Sequence, residues 1–397
     1  MKSFIIADSC RQSGERDPLT QELIELVEGD RYLHELLTTS LDRAQQRNGD
    51  PVMNPVTSKA EYFNFVDRAV KLVPRDVLEN PPRHLRKPLL QHCAYFYYLI
   101  DQPPGDDVDD DQHLGAVQDD ETFQTWLKKF IREWGMFLDT EESWDWSIYR
   151  AYYYNSAYGL QNDWYEPASN WETFNDFFAR YLRSPGVRPV ARRGDPSIVA
   201  SPVDSSPRGV WHIDENSKIV SDDGVDVKHD TYYDINVLLG EESKYHDAFA
   251  GGTFTHMFLN IDDYHRYHFP VSGTVKEVSR IGGDIKLRSN WNPRTRRYDM
   301  DCAAGWQFAQ TRGSAVIETE EHGLVAVLPI GMGQVSSVNF EEHVEPGRWF
   351  EKGDMLGYFL FGGSDVVMLF QEEANFEQTA PTKSHVLMGE QYGTFTS

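Results

Sequence analysis

The sequence lacks long hydrophobic runs, has few cysteines and is short of positive charge, and each shortage excludes something. Its longest uninterrupted apolar stretch, CAYFYYLI at 93–100, has eight residues. A membrane-crossing helix needs about 20, so this run suits a core helix instead. The N-terminal stretch MKSFIIADSCRQSGERDP carries one lysine and a four-residue apolar patch. That patch is too short for the apolar centre of a signal peptide, and a cytoplasmic location is the expectation. Cys10, Cys93 and Cys302 are odd in number and far apart. They build neither a disulfide framework nor a zinc knuckle and read as buried free thiols. Against 38 Lys and Arg stand 63 Asp and Glu, a formal net charge of −25. Such a field opposes approach to nucleic acid and to anionic membrane surfaces, and favours a small-molecule substrate.

What is present is a globular composition. The 397 residues are 40% hydrophobic and 13% aromatic, enough for two or three domains with a sizeable core. The first 180 or so residues read mainly as helix. Ser58 and Glu61 form a capping box ahead of Tyr62, Phe63, Val66, Val70 and Val73 at helical spacing, and Pro74 ends the pattern. A second helix is predicted over His84–Ile100. A third runs from Glu121 to Leu138, with Phe123, Trp126, Leu127, Phe130, Ile131 and Trp134 on one face. Between these two lies DQPPGDDVDDDQHLG (101–115), read as an exposed loop. It is no EF-hand: from Asp107 the sixth and twelfth positions are Gln112 and Gln118, where glycine and glutamate are required. Ser169 and Glu172 suggest another capping box, followed by a stripe of Phe174, Phe177, Phe178 and Tyr181 that ends at Ser184-Pro185-Gly186.

Near 190–200 the texture changes to short β-type runs: GTVKEVSRI, GLVAVLPIG, MLGYFLFGG and DVVMLFQ, separated by Gly, Asp and Asn turns. The fold class is therefore α+β, a helical N-terminal region followed by a β-rich region.

Three places could carry chemistry. In SPVDS (201–205), Asp204 is either a turn aspartate satisfying backbone N–H groups or an orienting carboxylate. In DDYHRYHFPVSGTV (262–275), His265 and His268 sit three apart beside Asp262 and Asp263. Structural histidines, acid–base work and metal binding all fit, although a third metal ligand at fixed spacing is missing. In FLFGGSDVVMLFQ (359–371), Gly362 and Gly363 precede Ser364 between two apolar runs. This is either a turn or a place where a hydroxyl meets its own preceding peptide bond, and a serine there needs a base to become nucleophilic.

Together these segments resemble the phosphatidylserine decarboxylase family, whose members make their own pyruvoyl cofactor. NWETFNDFFARYLRSPGVRPV resembles the family's Phe-Phe-x-Arg helix with its following Arg-Pro. SPVDS resembles its Ser-Pro-x-Asp segment, and DYHRYHFPVSG its Tyr-His-Arg-x-His-x-Pro motif. KGDMLGYFLFGGS (352–364) resembles its approach to a Gly-Ser cleavage site. The match spans about residues 165–371, in order. The resemblance implies a helical domain over 1–165 and a catalytic domain over 166–397. It implies that Asp204 orients His268, which deprotonates Ser364, and that the Ser364 hydroxyl attacks the Gly363 carbonyl. Cleavage between Gly363 and Ser364 then yields large and small subunits from one precursor, with Ser364 converted to the pyruvoyl group. It implies decarboxylation without pyridoxal phosphate or metal, with His265 as the proton donor, and leaves homo-oligomerisation open. One position departs from the pattern: the family has serine or threonine after the cleavage-site serine, and here stands Asp365. A carboxylate beside a developing oxyanion opposes it unless protonated or turned away.

The segment IGMGQVSSV (330–338) departs from the late motif of phospholipid-acting members, and about 150 residues of helical sequence precede the matched part. Both features resemble the soluble tryptophan decarboxylase-like branch, which implies a free, aromatic L-amino acid as substrate. The other readings are a phosphatidylserine decarboxylase acting on phospholipid, an uncleaved barrel-sandwich binding module built on EPGRWFEKGDMLG (345–357), and a metal-dependent hydrolase using His265, His268 and Asp262.

Overall fold

The structure is a computed structural model that describes residues 16–75, 88–103, 115–220, 234–300, 308–332, 338–361 and 363–396. The helices, in chain order, are α1 (Pro18–Gly29), α2 (Arg31–Arg47), α3 (Lys59–Ala69), α4 (Pro88–Ile100), α5 (Glu121–Leu138), α6 (Trp146–Tyr154), α7 (Phe174–Phe178) and α8 (Ile235–Leu239). The strands are β1 (Ile198–Ala200), β2 (Ser206–Ile213), β3 (Ile219–Val220), β4 (Thr253–Leu259), β5 (Arg266–His268), β6 (Gly273–Ile281), β7 (Ser289–Asn292) and β8 (Arg297–Met300). They continue as β9 (Arg312–Glu318), β10 (Leu324–Met332), β11 (Val338–Phe340), β12 (Trp349–Phe350), β13 (Met355–Phe359), β14 (Gly363–Phe370), β15 (Phe376–Gln378) and β16 (Gln391–Phe395). This is the α+β architecture read from the sequence, with its helical region first.

The chain forms two units. One takes the described residues up to Asn155 together with those from Asp284 to Met300, and the other takes the rest. In the helical unit, caps and apolar faces fall where local chemistry puts them. The Ser58 hydroxyl accepts from Glu61 N–H, while the Glu61 carboxylate takes the Thr57 N–H at 2.7 Å. On α5 the six predicted apolar residues are all buried. Each such burial is worth about 1.5–3 kcal/mol relative to exposure, which is what holds an amphipathic helix in place. The predicted second helix is seen from Pro88, its first residues lying outside the described ones, as does most of the acidic stretch 101–115. Cys93 is a free thiol whose pKa burial pushes up to about 12; Cys10 and Cys302 lie outside the described residues. No described helix is long and apolar enough to cross a membrane.

In the second unit an antiparallel eight-stranded sheet has the order β12-β6-β9-β10-β14-β4-β2-β3. Two three-stranded sheets, β11-β13-β5 and β1-β16-β15, accompany it. One face of the large sheet buries Phe254, Ala326, Leu328, Ile330, Val367 and Leu369 against Leu238 and Leu239 of α8. Two expectations are corrected in this unit. The capping box at α7 is Thr173 with Asp176, because the Thr173 hydroxyl accepts from Asp176 N–H and the Asp176 carboxylate from Thr173 N–H. The helix stops at Phe178, so Tyr181 leaves the apolar stripe and is 44% exposed, its ring lying 3.4 Å from the Arg266 guanidinium.

Candidate active site

Ser364 is the second residue of β14, set between Gly331 of β10 and Leu259 of β4. Side chains alternate along a strand. Asp365, Val367 and Leu369 therefore project to the face that carries the core against α8, and Ser364, Val366 and Met368 project to the other. The Ser364 side chain is fully buried and its Oγ has no hydrogen-bond partner among the described residues. A buried hydroxyl in that state costs stability, so it calls for an explanation beyond packing. Asp365 is turned away from it: its carboxylate bonds to His256 Nε2 across β4, both side chains being buried. Gly362 lies outside the described residues.

The strand leading to Ser364 is tied to the histidine segment. Phe359 N–H donates to the His265 carbonyl at 2.9 Å, and Tyr358 faces Arg266 across β13 and β5. Both chains then run on to one place, since Leu259, six residues before His265, pairs with Ser364, five residues after Phe359. The His265 ring stacks on Phe178 of α7 with centroids 3.9 Å apart, and Phe178 packs edge-on against Phe361 at 5.4 Å. Neither ring nitrogen of His265 has a hydrogen-bond partner among the described residues. Burial, aided by the Arg180 charge, holds its pKa well below the usual histidine range.

His268 is held at both nitrogens. Nδ1 lies 2.9 Å from the Gly353 carbonyl and Nε2 lies 3.1 Å from the Tyr264 hydroxyl. A carbonyl can only accept, so Nδ1 carries the hydrogen and Nε2 presents its lone pair to the Tyr264 O–H. Burial pushes the His268 pKa down to about 4, against opposing pulls from the Gly353 bond and the Asp204 charge. The ring is therefore neutral near pH 7, the state a base requires. Gly353 aims its carbonyl this way at φ 92°, a backbone region that favours glycine, and a Cβ there would sit 2.4 Å from Val190 Cγ2.

Asp204 does not hydrogen-bond His268. Its carboxylate takes two bonds from Arg188, at 2.8 and 3.2 Å, and one from Met388 N–H at 2.7 Å. Arg188 in turn lies over the Trp164 ring at 4.6 Å. Sequence reasoning placed Asp204, His268 and Ser364 in one relay; the structure puts the Gly353 carbonyl where the orienting carboxylate was expected. Arg188 and Tyr264 were overlooked as polar partners although both stand inside quoted motifs.

Arg180 and Arg266 bind the histidine turn to the segment around α7. Arg180 is fully buried, stacks on Tyr165 at 4.3 Å and donates to the carbonyls of Asp262 and Asp263 at 3.3 and 3.1 Å. Arg266 donates from Nε to Ala179 O at 2.6 Å and from a terminal nitrogen to Glu341 at 3.0 Å. Asp263 also pairs with half-exposed His385 at 2.8 Å; that bond raises the His385 pKa, while burial raises that of Asp263. Among the described residues no three His, Cys, Asp or Glu side chains gather as a metal ion would need. The EPGRWFEKGDMLG stretch supplies the Gly353 carbonyl and strand β13, so it belongs to the site and not to a separate module.

A family profile for phosphatidylserine decarboxylase matches residues 174–394. Phosphatidylserine decarboxylase proenzyme 2 of Oryza sativa is 32% identical over 210 residues, covering 53% of this chain and 31% of the relative. Phosphatidylserine decarboxylase proenzyme 3 of Schizosaccharomyces pombe is 31% identical over 240 residues, 57% of this chain and 22% of the relative. The phosphatidylserine decarboxylase proenzyme of Coxiella burnetii is 27% identical over 284 residues, 68% of this chain and 91% of the relative. The chain thus spans a third or less of the rice and yeast relatives and most of the bacterial one. The profile covers α7, both histidines, Asp204, the Gly363–Ser364 bond and the strands around it, and on that match the chain belongs to the phosphatidylserine decarboxylase family.

Proposed function

We propose that the chain is a proenzyme that opens its own Gly363–Ser364 bond and then acts as a pyruvoyl-dependent decarboxylase. The observation that carries this reading is the Ser364 hydroxyl, buried and unpartnered beside the peptide bond it would attack. Neutral His268, its Nδ1–H fixed by Gly353, is the base, and Tyr264 must release Nε2 before that nitrogen can take a proton. The Ser364 proton passes to His268 as Oγ attacks the Gly363 carbonyl carbon. The peptide C–N bond breaks, and the Ser364 nitrogen receives the proton, leaving an ester. A base takes the Ser364 Cα proton as the Cβ–O bond to the Gly363 carboxylate breaks, leaving dehydroalanine, and one water hydrolyses this enamine to the pyruvoyl end and ammonia. Once formed, that group supplies a ketone that takes a substrate amine and accepts the electrons left by departing CO2. His265, buried and neutral, would donate from a ring N–H and not as an imidazolium.

Relatives named for phosphatidylserine support that phospholipid as the substrate ahead of the free aromatic amino acid expected from the sequence. A free amino acid is kept as the second reading because a net charge of −25 repels anionic lipid surfaces. Denaturing mass spectrometry should find a 34-residue fragment, 364–397, with a pyruvoyl end. An intact chain in an active preparation sinks the maturation claim. CO2 release from phosphatidylserine in mixed micelles, measured beside release from tryptophan, decides the substrate.

A further inference from the structure

Asp365 is the first side chain after the cofactor position, and it makes a buried bond to His256 on the face of β14 opposite Ser364. Its other oxygen, Oδ1, has no partner among the described residues, so the carboxylate is spent on this one contact. The pair is an odd way to fill an apolar face. It sits at the end of a core that includes Phe254, Ile330 and Val367, and Asp365 stands directly across from Ile330 on one side and Phe258 on the other. Buried ion pairs stabilise little compared with apolar side chains of the same size, so stability alone does not explain its presence. Arg208 lies over the Phe258 ring at 4.5 Å with its Nε buried and unpartnered among the described residues, which adds a cation near the same end of the sheet.

Cleavage makes this contact matter. Before it, residue 364 is held by the chain on both sides. Afterwards it is a chain end, free to swing about the bonds that join it to Asp365. We infer that the His256–Asp365 pair is the positioning device for the cofactor-bearing terminus, clamping the second residue of the small subunit to β4 of the large one so that position 364 keeps its place on the opposite face. The inference rests on the proposed maturation at Gly363–Ser364. Neither residue touches the reacting atoms; both act through the backbone of β14, so they are positioning residues. The same clamp keeps the Asp365 carboxylate away from the Gly363 carbonyl while the oxyanion forms there.

The test compares Asp365→Asn, His256→Gln and the double variant with the parent chain. Self-cleavage is followed by denaturing mass spectrometry, and turnover is expressed per pyruvoyl group titrated with a hydrazine. Each single change is expected to lower turnover per pyruvoyl roughly tenfold with KM little changed, since a misplaced reactive atom loses rate before binding. The double variant should lose no more than either single one, because the two residues act as a unit. Parent-like turnover per pyruvoyl in the singles overturns the inference. So does additive loss, or a loss confined to the yield of folded protein. If the singles do not fold, the His256→Leu/Asp365→Leu chain replaces the pair with two apolar side chains. Its lowered turnover at an unchanged melting temperature would support the clamp, and parent-like turnover would overturn it. A parent chain that never yields the 34-residue fragment defeats the maturation reading itself; a cleaving parent with indifferent variants defeats only the clamp.

Discussion

Arg188 and Asp204 form a two-pronged ion pair at 2.8 and 3.2 Å, with side chains only 2% and 4% exposed. The pair does more than join two residues. The third bond to Asp204 comes from Met388 N–H, so the carboxylate links the Arg-Pro segment to the C-terminal stretch that cleavage would separate from it. Burial tends to lower the Arg188 pKa, but the Asp204 bond and charge outweigh it and the guanidinium stays charged. Arg188→Ala leaves a buried carboxylate with one donor and should cost about 3–5 kcal/mol in urea unfolding. Arg188→Lys should recover only part of this, because a lysine cannot match the planar fork. Full recovery by lysine would show that charge alone suffices.

Ser364→Ala should separate chemistry from stability. It removes the proposed nucleophile, so neither the 34-residue fragment nor CO2 release should appear. It also removes a buried hydroxyl that has no partner among the described residues, so the chain should gain about 1 kcal/mol on unfolding. A loss of stability of similar size would mean the hydroxyl has a partner in solution. Continued CO2 release would point to a different electron sink.

The pH dependence follows from His268, whose folded pKa of about 4 lies below its ordinary 6.5. Between these values the unfolded chain binds more protons than the folded one, so stability rises with pH across that window and is fully present above it. The difference corresponds to about 3 kcal/mol, lost progressively as pH falls from about 6.5 toward 4. With His268 as the proposed base, self-cleavage should stay level from pH 6 to 8, falling only on the acid side. A midpoint near 6.5 would mean that His268 titrates as an exposed histidine. His268→Asn should flatten the acid limb of the stability curve.

The parts of the fold that were legible share one property: their signal is local. The α5 face, the Ser58 cap and the β runs around Ser364 each follow from periodicity or from one turn of chain. What was missed depends on pairings far apart in sequence. Asp204 was assigned to His268 because both sit in motif-like stretches, yet its partners are Arg188 and the backbone of Met388, 184 residues on. The orienting acceptor for His268 is a main-chain carbonyl 85 residues away, and a carbonyl leaves no trace in side-chain chemistry. His256 sits in an apolar strand with no motif around it. Only the pairing of β4 with β14 brings it to Asp365. Tyr181 kept helical spacing, but α7 ends three residues earlier and puts it outside.

The hairpin β7–β8 is the most distant of these pairings and gives the last prediction. It lies in sequence among the strands of the second unit but belongs to the helical one. There it finds side chains where a sheet would supply backbone. Gln91 accepts from Tyr298 N–H at 2.7 Å and donates to its carbonyl at 2.9 Å, and Gln124 does the same for Ile285 at 3.1 and 2.9 Å. Asp101 accepts from Ser289 N–H at 2.9 Å. The Tyr298 hydroxyl donates to Met53 O at 2.7 Å and accepts from Asn48 at 2.8 Å, with the Tyr98 and Tyr95 rings 4.8 and 5.4 Å away. Tyr298→Phe keeps the ring contacts but leaves a buried carbonyl and a buried amide short of a partner, so it should cost about 1–3 kcal/mol. Tyr298→Ala opens a cavity as well and should cost about 3–5 kcal/mol. Urea unfolding in the uncleavable Ser364→Ala background measures both. Equal costs for the two replacements would show that the ring contributes nothing and the hydroxyl network holds the hairpin alone.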